Sequence, residues 1–318
     1  MPSEFELIAR FFTRPAPGAT LGVGDDAALM RLSPGMELAV STDMLVAGRH
    51  FLPDADPYLL GHKALAVNLS DLAAMGARPR WATLALALPE ADEAWLSSFS
   101  QGFLDMADRF EVDLVGGDTT CGPLNLCITI LGEVPPGRAL RRDGARPGDD
   151  VWVSGDLGGA ALGLRHALGQ LALPEDEANA CLCRLQAPEP RVALGRALVG
   201  VAGAAIDVSD GVMADLGHIL DRSMVGAEIM FEQLPAHPAV SARLNEAVAQ
   251  HCLLAGGDDY ELCFTAPPER ASEVVAAGEA AGVRVTWVGR IVQAPGLHLL
   301  GPEGQAISSE VRGYDHFA

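Results

Sequence analysis

The chain has 318 residues and 49% hydrophobic content, enough for a sizeable core and better suited to two domains than to one. Its 42 acidic residues against 22 basic ones leave a formal charge of −20, which argues against DNA, RNA or an acidic membrane surface as partner. The start "MPSEFELIARFF" carries acids where a secretory leader needs a basic region, and no apolar run reaches membrane-spanning length, so a soluble cytoplasmic protein is expected.

The first informative stretch is "LGVGDDAAL", Leu21 to Leu29, where Asp25 and Asp26 follow a glycine pair in apolar company. It reads either as an exposed Gly-Asp turn or as half of a cation site. Strands are predicted over 37–43, 81–88, 112–118 and 126–134, and helices over 56–76 and 93–110. Gly76 suits a left-handed helix end, with Pro79 beyond it. Across 137–150, "GRALRRDGARPGDD", the texture turns to Gly, Pro and Arg, and the expected domains are 1–137 and 138–318. Further on come a strand over 151–155, a helix from Gly159, a Pro-containing segment at 187–190 and a strand over 203–209 opening into a helix at 212–223. Strands over 260–266 and 284–292 then flank a helix at 271–282, and the alternation reads as α/β (α+β). "GDLGGAALG" at 155–163 misses the G-x-G-x-x-G spacing and is read as a tight turn. The six cysteines lack paired CxxC spacing and read mostly as small core residues.

The acids fall where strands and helices meet loops: Asp25 and Asp26, Asp43, Asp71, Asp118, Asp207 and Asp210, and Asp258 and Asp259. On a helix Asp71 shares a face with Ala64, Val67, Asn68 and Met75, so it points to a metal or to a buried pair with Arg49 or Arg80. Asp210 precedes a helix and reads as an N-cap worth about 1 kcal/mol, as a ligand, or as both, and Ser209 could serve either purpose. Hard oxygens without a His or Cys cluster suit Mg²⁺ or Ca²⁺, and "DVSDG" lacks the EF-hand spacing. Magnesium on a few carboxylates implies a phosphate substrate. Lys63 is the only lysine, which closes the Walker A and protein-kinase routes to ATP. Arg138, Arg141, Arg142 and Arg146 form either a solvated linker or a phosphate clamp.

"GVGDDAA", "STDMLVAGRHF", "NLSDLAAMGARP", "GGDTT", "IDVSDG", "GGDDYEL" and "GYDHF", in that order, resemble the bacterial thiamine-monophosphate kinase family, within the aminoimidazole ribonucleotide synthetase-like ATP-binding superfamily. The resemblance spans nearly the whole chain. It implies an N-terminal ATP/Mg-binding half-barrel that completes a β-barrel across a homodimer, with a C-terminal α/β domain. It implies ATP-dependent phosphorylation of thiamine monophosphate to thiamine diphosphate with several Mg²⁺ ions, the last step of thiamine diphosphate biosynthesis. Carried over by position, Asp26, Ser41, Thr42, Asp43, Asp71, Asp118, Asp207 and Asp210 match metal ligands. Gly117, Asp118, Arg142 and Ser209 match ATP contacts, and His50, Asp258 and Tyr314 match substrate contacts. Asp258 stands where the family usually has glutamate, one methylene longer, and Tyr314 is preferred to Phe317 as the aromatic that stacks on thiamine.

The acceptor is a phosphate monoester with a second pKa of about 6, mostly dianionic at neutral pH, so its oxygen needs no general base. Donor and acceptor bring about six negative charges, which on the order of three or more magnesium ions would offset. Direct in-line transfer is expected, with no residue marked as a nucleophile. The alternatives are another ATP-using member of the superfamily, of selenophosphate synthetase or hydrogenase-maturation type, or a non-catalytic Mg-nucleotide sensor. An N-terminal region without cysteine and the ending "GYDHFA" disfavour the first two.

Overall fold

The computed structural model describes residues 3–307; Tyr314 and Phe317 lie outside the described residues. The chain divides into two compact units, one running to Leu72 and from Ala77 to Gly137, the other taking Ala73–Gly76 and the chain from Arg138.

The first unit opens with α1 (Glu4–Leu7), where Ser3 and Glu6 exchange the two bonds of a capping box, and runs on as a π turn over Ile8–Phe12. Short strands β1 (Ala19–Leu21) and β2 (Leu29–Met30) pair with each other. Then come β3 (Glu37–Val46), α2 (Pro57–Ala74), β4 (Arg78–Leu88), α3 (Glu93–Arg109), β5 (Asp113–Cys121) and β6 (Asn125–Val134). The sheet order is β3-β6-β4-β5; β4 and β5 run parallel, as the α3 crossover requires, and the other pairs are antiparallel. Pro79 is accommodated at a bulge of β4 opposite β6.

Two glycines set the helix packing. A Cβ on Gly61 would strike the Phe99 carbonyl and one on Gly102 the Tyr58 carbonyl, so α2 and α3 meet backbone to backbone. Leu72 of α2 reaches the sheet at Gly132. Along β3, Ala39, Ser41, Asp43 and Leu45 therefore turn toward α2, while Leu38, Val40, Thr42 and Met44 are exposed on the opposite face.

The second unit contains, in order, β7 (Asp150–Ser154), α4 (Gly159–Ala167), α5 (Glu175–Gln186), α6 (Val192–Ala197), β8 (Ala204–Val208), α7 (Val212–Ser223) and β9 (Gly226–Met230). It continues with α8 (Pro238–Ser241), α9 (Ala247–Ala255), β10 (Glu261–Ala266), α10 (Ala271–Ala281), β11 (Val285–Val292), β12 (Gly296–Leu300) and β13 (Ala306–Ile307). The sheet order is β13-β12-β9-β11-β7-β10-β8, and only the β9–β12 pair is parallel. β7, β8 and β10 are buried at every position, so their mostly apolar residues do not alternate with exposed ones, and the polar side chains among them, Asp207 and Glu261 included, are buried too. Val151, Val153, Ile206, Val208, Leu216, Ile219 and Leu253 belong to its core.

Within the first unit, Glu133 is buried and answered on both oxygens. The Ser33 N–H donates at 2.6 Å, its hydroxyl at 3.0 Å and Arg80 at 2.6 Å. Burial raises the Glu133 pKa, but the Ser33 bonds and the Arg80 charge outweigh it and hold the group below 4.5. An acid lowered in this way stabilises the fold fully above its unfolded value and loses that contribution as pH falls through the folded one. Glu133→Gln is thus expected to cost about 3 kcal/mol at neutral pH. Urea denaturation in an acid series checks this: the gap to wild type should narrow below pH 4.5.

Candidate functional site

The strand alternation sorts the predicted ligands of the first unit. On the face toward α2, the Ser41 hydroxyl donates to Asp71 Oδ2 at 2.5 Å, and the Asp43 N–H donates to Asn68 Oδ1 at 3.3 Å. Asn68 is itself oriented by donating from Nδ2 to the Ala64 carbonyl at 3.0 Å. Burial and then the neighbouring Asp71 charge push the Asp43 carboxyl up to about 6. Arg80, one of the two arginines considered for Asp71, is committed to Glu133.

Thr42 does not join this group through its side chain. It faces the other side of the sheet, where its hydroxyl meets that of Thr129 at 2.8 Å. The register aligns Thr42, Thr129 and Thr83 across three strands.

Asp26 and Asp118 line one cavity of about 680 Å³, together with Asp25, Thr83, residues 116–119 and the apolar side chains Phe5, Ile8 and Phe12. Asp25 accepts the Asp26 N–H at 2.9 Å and so shapes the turn. Gly117 has a φ of +150°, and a Cβ there would collide with the Leu84 carbonyl; glycine is required for β5 to lie against β4 and present Asp118. His50 is half-buried, its Nδ1 accepting the Val46 N–H at 3.0 Å in the turn after β3.

In the second unit, Asp207 sits buried on β8, and the chain turns through Ser209 and Asp210 into α7. The expected N-cap at Asp210 is not formed: Gly211 occupies the cap at φ +108°, with no side-chain bond. A residue not anticipated from sequence holds this turn. Asp215 Oδ2, from the first turn of α7, accepts both the Ser209 and the Asp210 N–H at 3.0 Å. Burial dominates in pushing Asp215 up to about 7, against the pull of those amides and of Arg142.

The segment "GGDDYEL" lies against the same turn. The Asp258 N–H donates to the Ser209 carbonyl at 2.9 Å and the Tyr260 N–H to the Val208 carbonyl at 2.8 Å. Asp258 and Tyr260 both have positive φ, +67° and +50°, strain of about 1 kcal/mol or more each that these bonds offset. The Tyr260 hydroxyl also donates to Asp258 Oδ1 at 3.2 Å. Asp259 turns the other way, and its Oδ2 accepts the Gly158 N–H at 2.7 Å in the glycine turn that opens α4. Burial raises its pKa well above the usual carboxylate range. Glu261 anchors the segment: Arg191 grips it with two bonds of 2.6 and 2.5 Å, and the Ser154 hydroxyl donates at 2.6 Å.

Residues 24–134, the stretch from Asp26 through Asp118 to the end of β6, match the family described as AIR synthase related protein, N-terminal domain. The thiamine-monophosphate kinase of Escherichia coli strain K12 is 47% identical over 99% of this chain and 98% of its own length. The chain belongs to the thiamine-monophosphate kinase family. The crystal structure of the thiamine-monophosphate kinase from Stenotrophomonas maltophilia K279a superposes with a TM-score of 0.85 at 45% identity, covering 95% of each chain. The structure of AaThiL complexed with AMPPCP and TMP superposes with a TM-score of 0.79 at 31% identity, covering 90% of this chain and 89% of that one. The family's two-domain α/β fold is thus the fold of this chain.

Asp215, Asn68, Thr129 and Arg191 were not singled out from sequence. Only Asp215 carried a signal, an acid sharing a helix face with the core residues Val212, Leu216 and Ile219. The Arg191–Glu261 pair yields a direct prediction. Arg191→Met leaves a buried carboxylate short of its partner and should cost roughly 3–5 kcal/mol, whereas adding Glu261→Leu should recover much of the loss. Denaturation of the single and double variants reads the difference.

Proposed function

We propose that the chain phosphorylates thiamine monophosphate to thiamine diphosphate at the expense of ATP, as a soluble cytoplasmic homodimer using magnesium. The observation that carries the reading is full-length membership of the kinase family together with an oxygen donor at every metal-ligand position. A non-catalytic nucleotide sensor would have no need of all of them.

The donor set fits magnesium. Every matched position offers a hard oxygen, and the Asp43 carboxyl, raised first by burial and then by the Asp71 charge, is one that a bound cation would favour in its ionised form. Among the described residues no three His, Cys, Asp or Glu side chains form a ready-made cage, which suits an ion that also takes substrate phosphates and water. Asp26, Ser41, Asp43, Asp71, Asp118, Asp207 and Asp210 would supply side-chain oxygens, and Thr42 its main chain. When bound, the metal supplies charge neutralisation between the two anions.

A terminal phosphate oxygen of thiamine monophosphate attacks the γ-phosphorus of ATP; the new P–O bond forms as the bond to ADP breaks. No residue need take a proton from a dianionic acceptor. Gly117 and Asp118 on β5, with Arg142 and Ser209, hold the nucleotide in this reading. His50, Asp258 and Tyr314 hold thiamine monophosphate. Asp258 reaches one methylene less than the family's glutamate, and its position is set by its own backbone strain and by the Tyr260 hydroxyl.

The homodimer rests on the open face of the first sheet. Val40 and Met44 are 55% and 56% exposed on β3, a ten-residue strand at the sheet edge. An edge strand that also exposes apolar side chains is suited to strand pairing, and a second copy offers a matching edge.

Two measurements test the reading. Purified protein with ATP, Mg²⁺ and thiamine monophosphate should form ADP and thiamine diphosphate in equal amounts, and Asp71→Asn should lower kcat/KM by about 100-fold or more. ATP binding without diphosphate formation would leave the sensor standing instead. Light scattering should give twice the chain mass for wild type and a single chain for Val40→Asp; a wild-type monomer overturns the barrel.

A further inference from the structure

We propose that Asp215 is a positioning residue for this reaction: it sets the Ser209–Asp210 turn so that these residues can serve the metal and the nucleotide. The inference rests on the kinase reading and adds a residue to it.

Asp215 is 2% exposed, on the buried side of α7 with Val212 and Leu216. A carboxylate in that setting is costly unless answered by donors. The donors it finds are not the free amides of its own helix. One oxygen, Oδ2, takes the N–H groups of Ser209 and Asp210, the two residues immediately before the cap. Both N–H groups are thereby drawn toward the core, while the side chains they belong to remain half-exposed.

The rest of the turn is held just as closely. The Ser209 carbonyl accepts the Asp258 N–H, and a Cβ on Gly211 would lie 2.6 Å from the Ala255 Cα. With N–H, C=O and the following φ all constrained, the directions of the Ser209 and Asp210 side chains follow from the backbone. Asp215 holds two of these points with a single atom. A capping-box acid reaches back to the amide of the cap residue; Asp215 reaches past the Gly211 cap to the two amides before it.

The experiment compares four full-length proteins: wild type, Asp215→Asn, Asp215→Glu and Asp215→Leu. Asparagine can place its one carbonyl oxygen where Oδ2 stands. Glutamate keeps the charge but moves the oxygens by a methylene, and leucine fills the volume without an acceptor. Each is assayed over a Mg²⁺ series, with thermal melts and with Mg²⁺-dependent ATP binding measured in the absence of thiamine monophosphate. Asp215→Asn is expected to stay within about three-fold of wild type, while Asp215→Leu and Asp215→Glu need about ten-fold more Mg²⁺ for half-maximal rate and binding. If Asp215→Glu outperforms Asp215→Asn, the charge itself acts and the positioning role is wrong. A lower melting temperature with an unchanged Mg²⁺ requirement in Asp215→Glu and Asp215→Leu also overturns it, leaving a structural cap. Should Asp215→Leu fail to fold, the asparagine–glutamate comparison decides alone. Wild type that binds Mg²⁺-ATP but makes no thiamine diphosphate defeats the kinase reading, and the binding shift still judges Asp215.

Discussion

A carboxylate taken out of water must find a cation or a donor, and on a chain of charge −20 that requirement shapes the structure repeatedly. Glu133 is answered by Ser33 and Arg80, and Glu261 by Arg191 and Ser154. Asp215 and Asp259 accept backbone amides. Asp43 and Asp71 are different, because there like charges face each other across β3 and α2, and the Asp71 charge adds to burial in raising the Asp43 pKa. The first four hold the scaffold and its loops; the last two set acid against acid.

This division follows from how each element is built. The period of two along β3 separates Ser41 and Asp43 from Thr42, giving the helix-covered face a hydroxyl and a carboxylate and the open face Thr42 with apolar side chains. Glycine governs the close approaches. Gly61 and Gly102 let α2 lie against α3, and Gly117 lets β5 carry Asp118 against β4. In the second unit the same end is reached by hydrogen bonds, as the Asp258–Tyr260 stretch lies on Val208 and Ser209 through its own N–H groups.

Much of this was legible beforehand. The strands at 37–46, 78–88, 113–121 and 125–134 and the helices at 57–74, 93–109 and 212–223 fall where hydrophobic periodicity and end signals place them. Among the elements not anticipated, α9 and β9 lack such signals, whereas α5 carried one in its acidic first turn and its Ala178, Cys181 and Leu185 stripe. α9, "AVAQHCLLA", is apolar nearly all round, so no stripe distinguishes it, and β9, "GAEIM", is short and interrupted by glutamate. The N-cap assigned to Asp210 went to glycine because Asp215, five residues later, claims the amides that fix the turn.

By itself the amino-acid sequence determined the family, the kinase chemistry and the positions of the oxygen donors, because ordered short motifs along one chain encode residue type and spacing. Tertiary structure alone decided which of those donors meet. Ser41 is bonded to Asp71 thirty residues away, Thr42 is turned to the opposite face, and Asp258 is brought to Ser209 from 49 positions further on. The reason is physical: side-chain direction depends on strand register and helix phase, and long-range hydrogen bonds depend on packing that no local pattern contains.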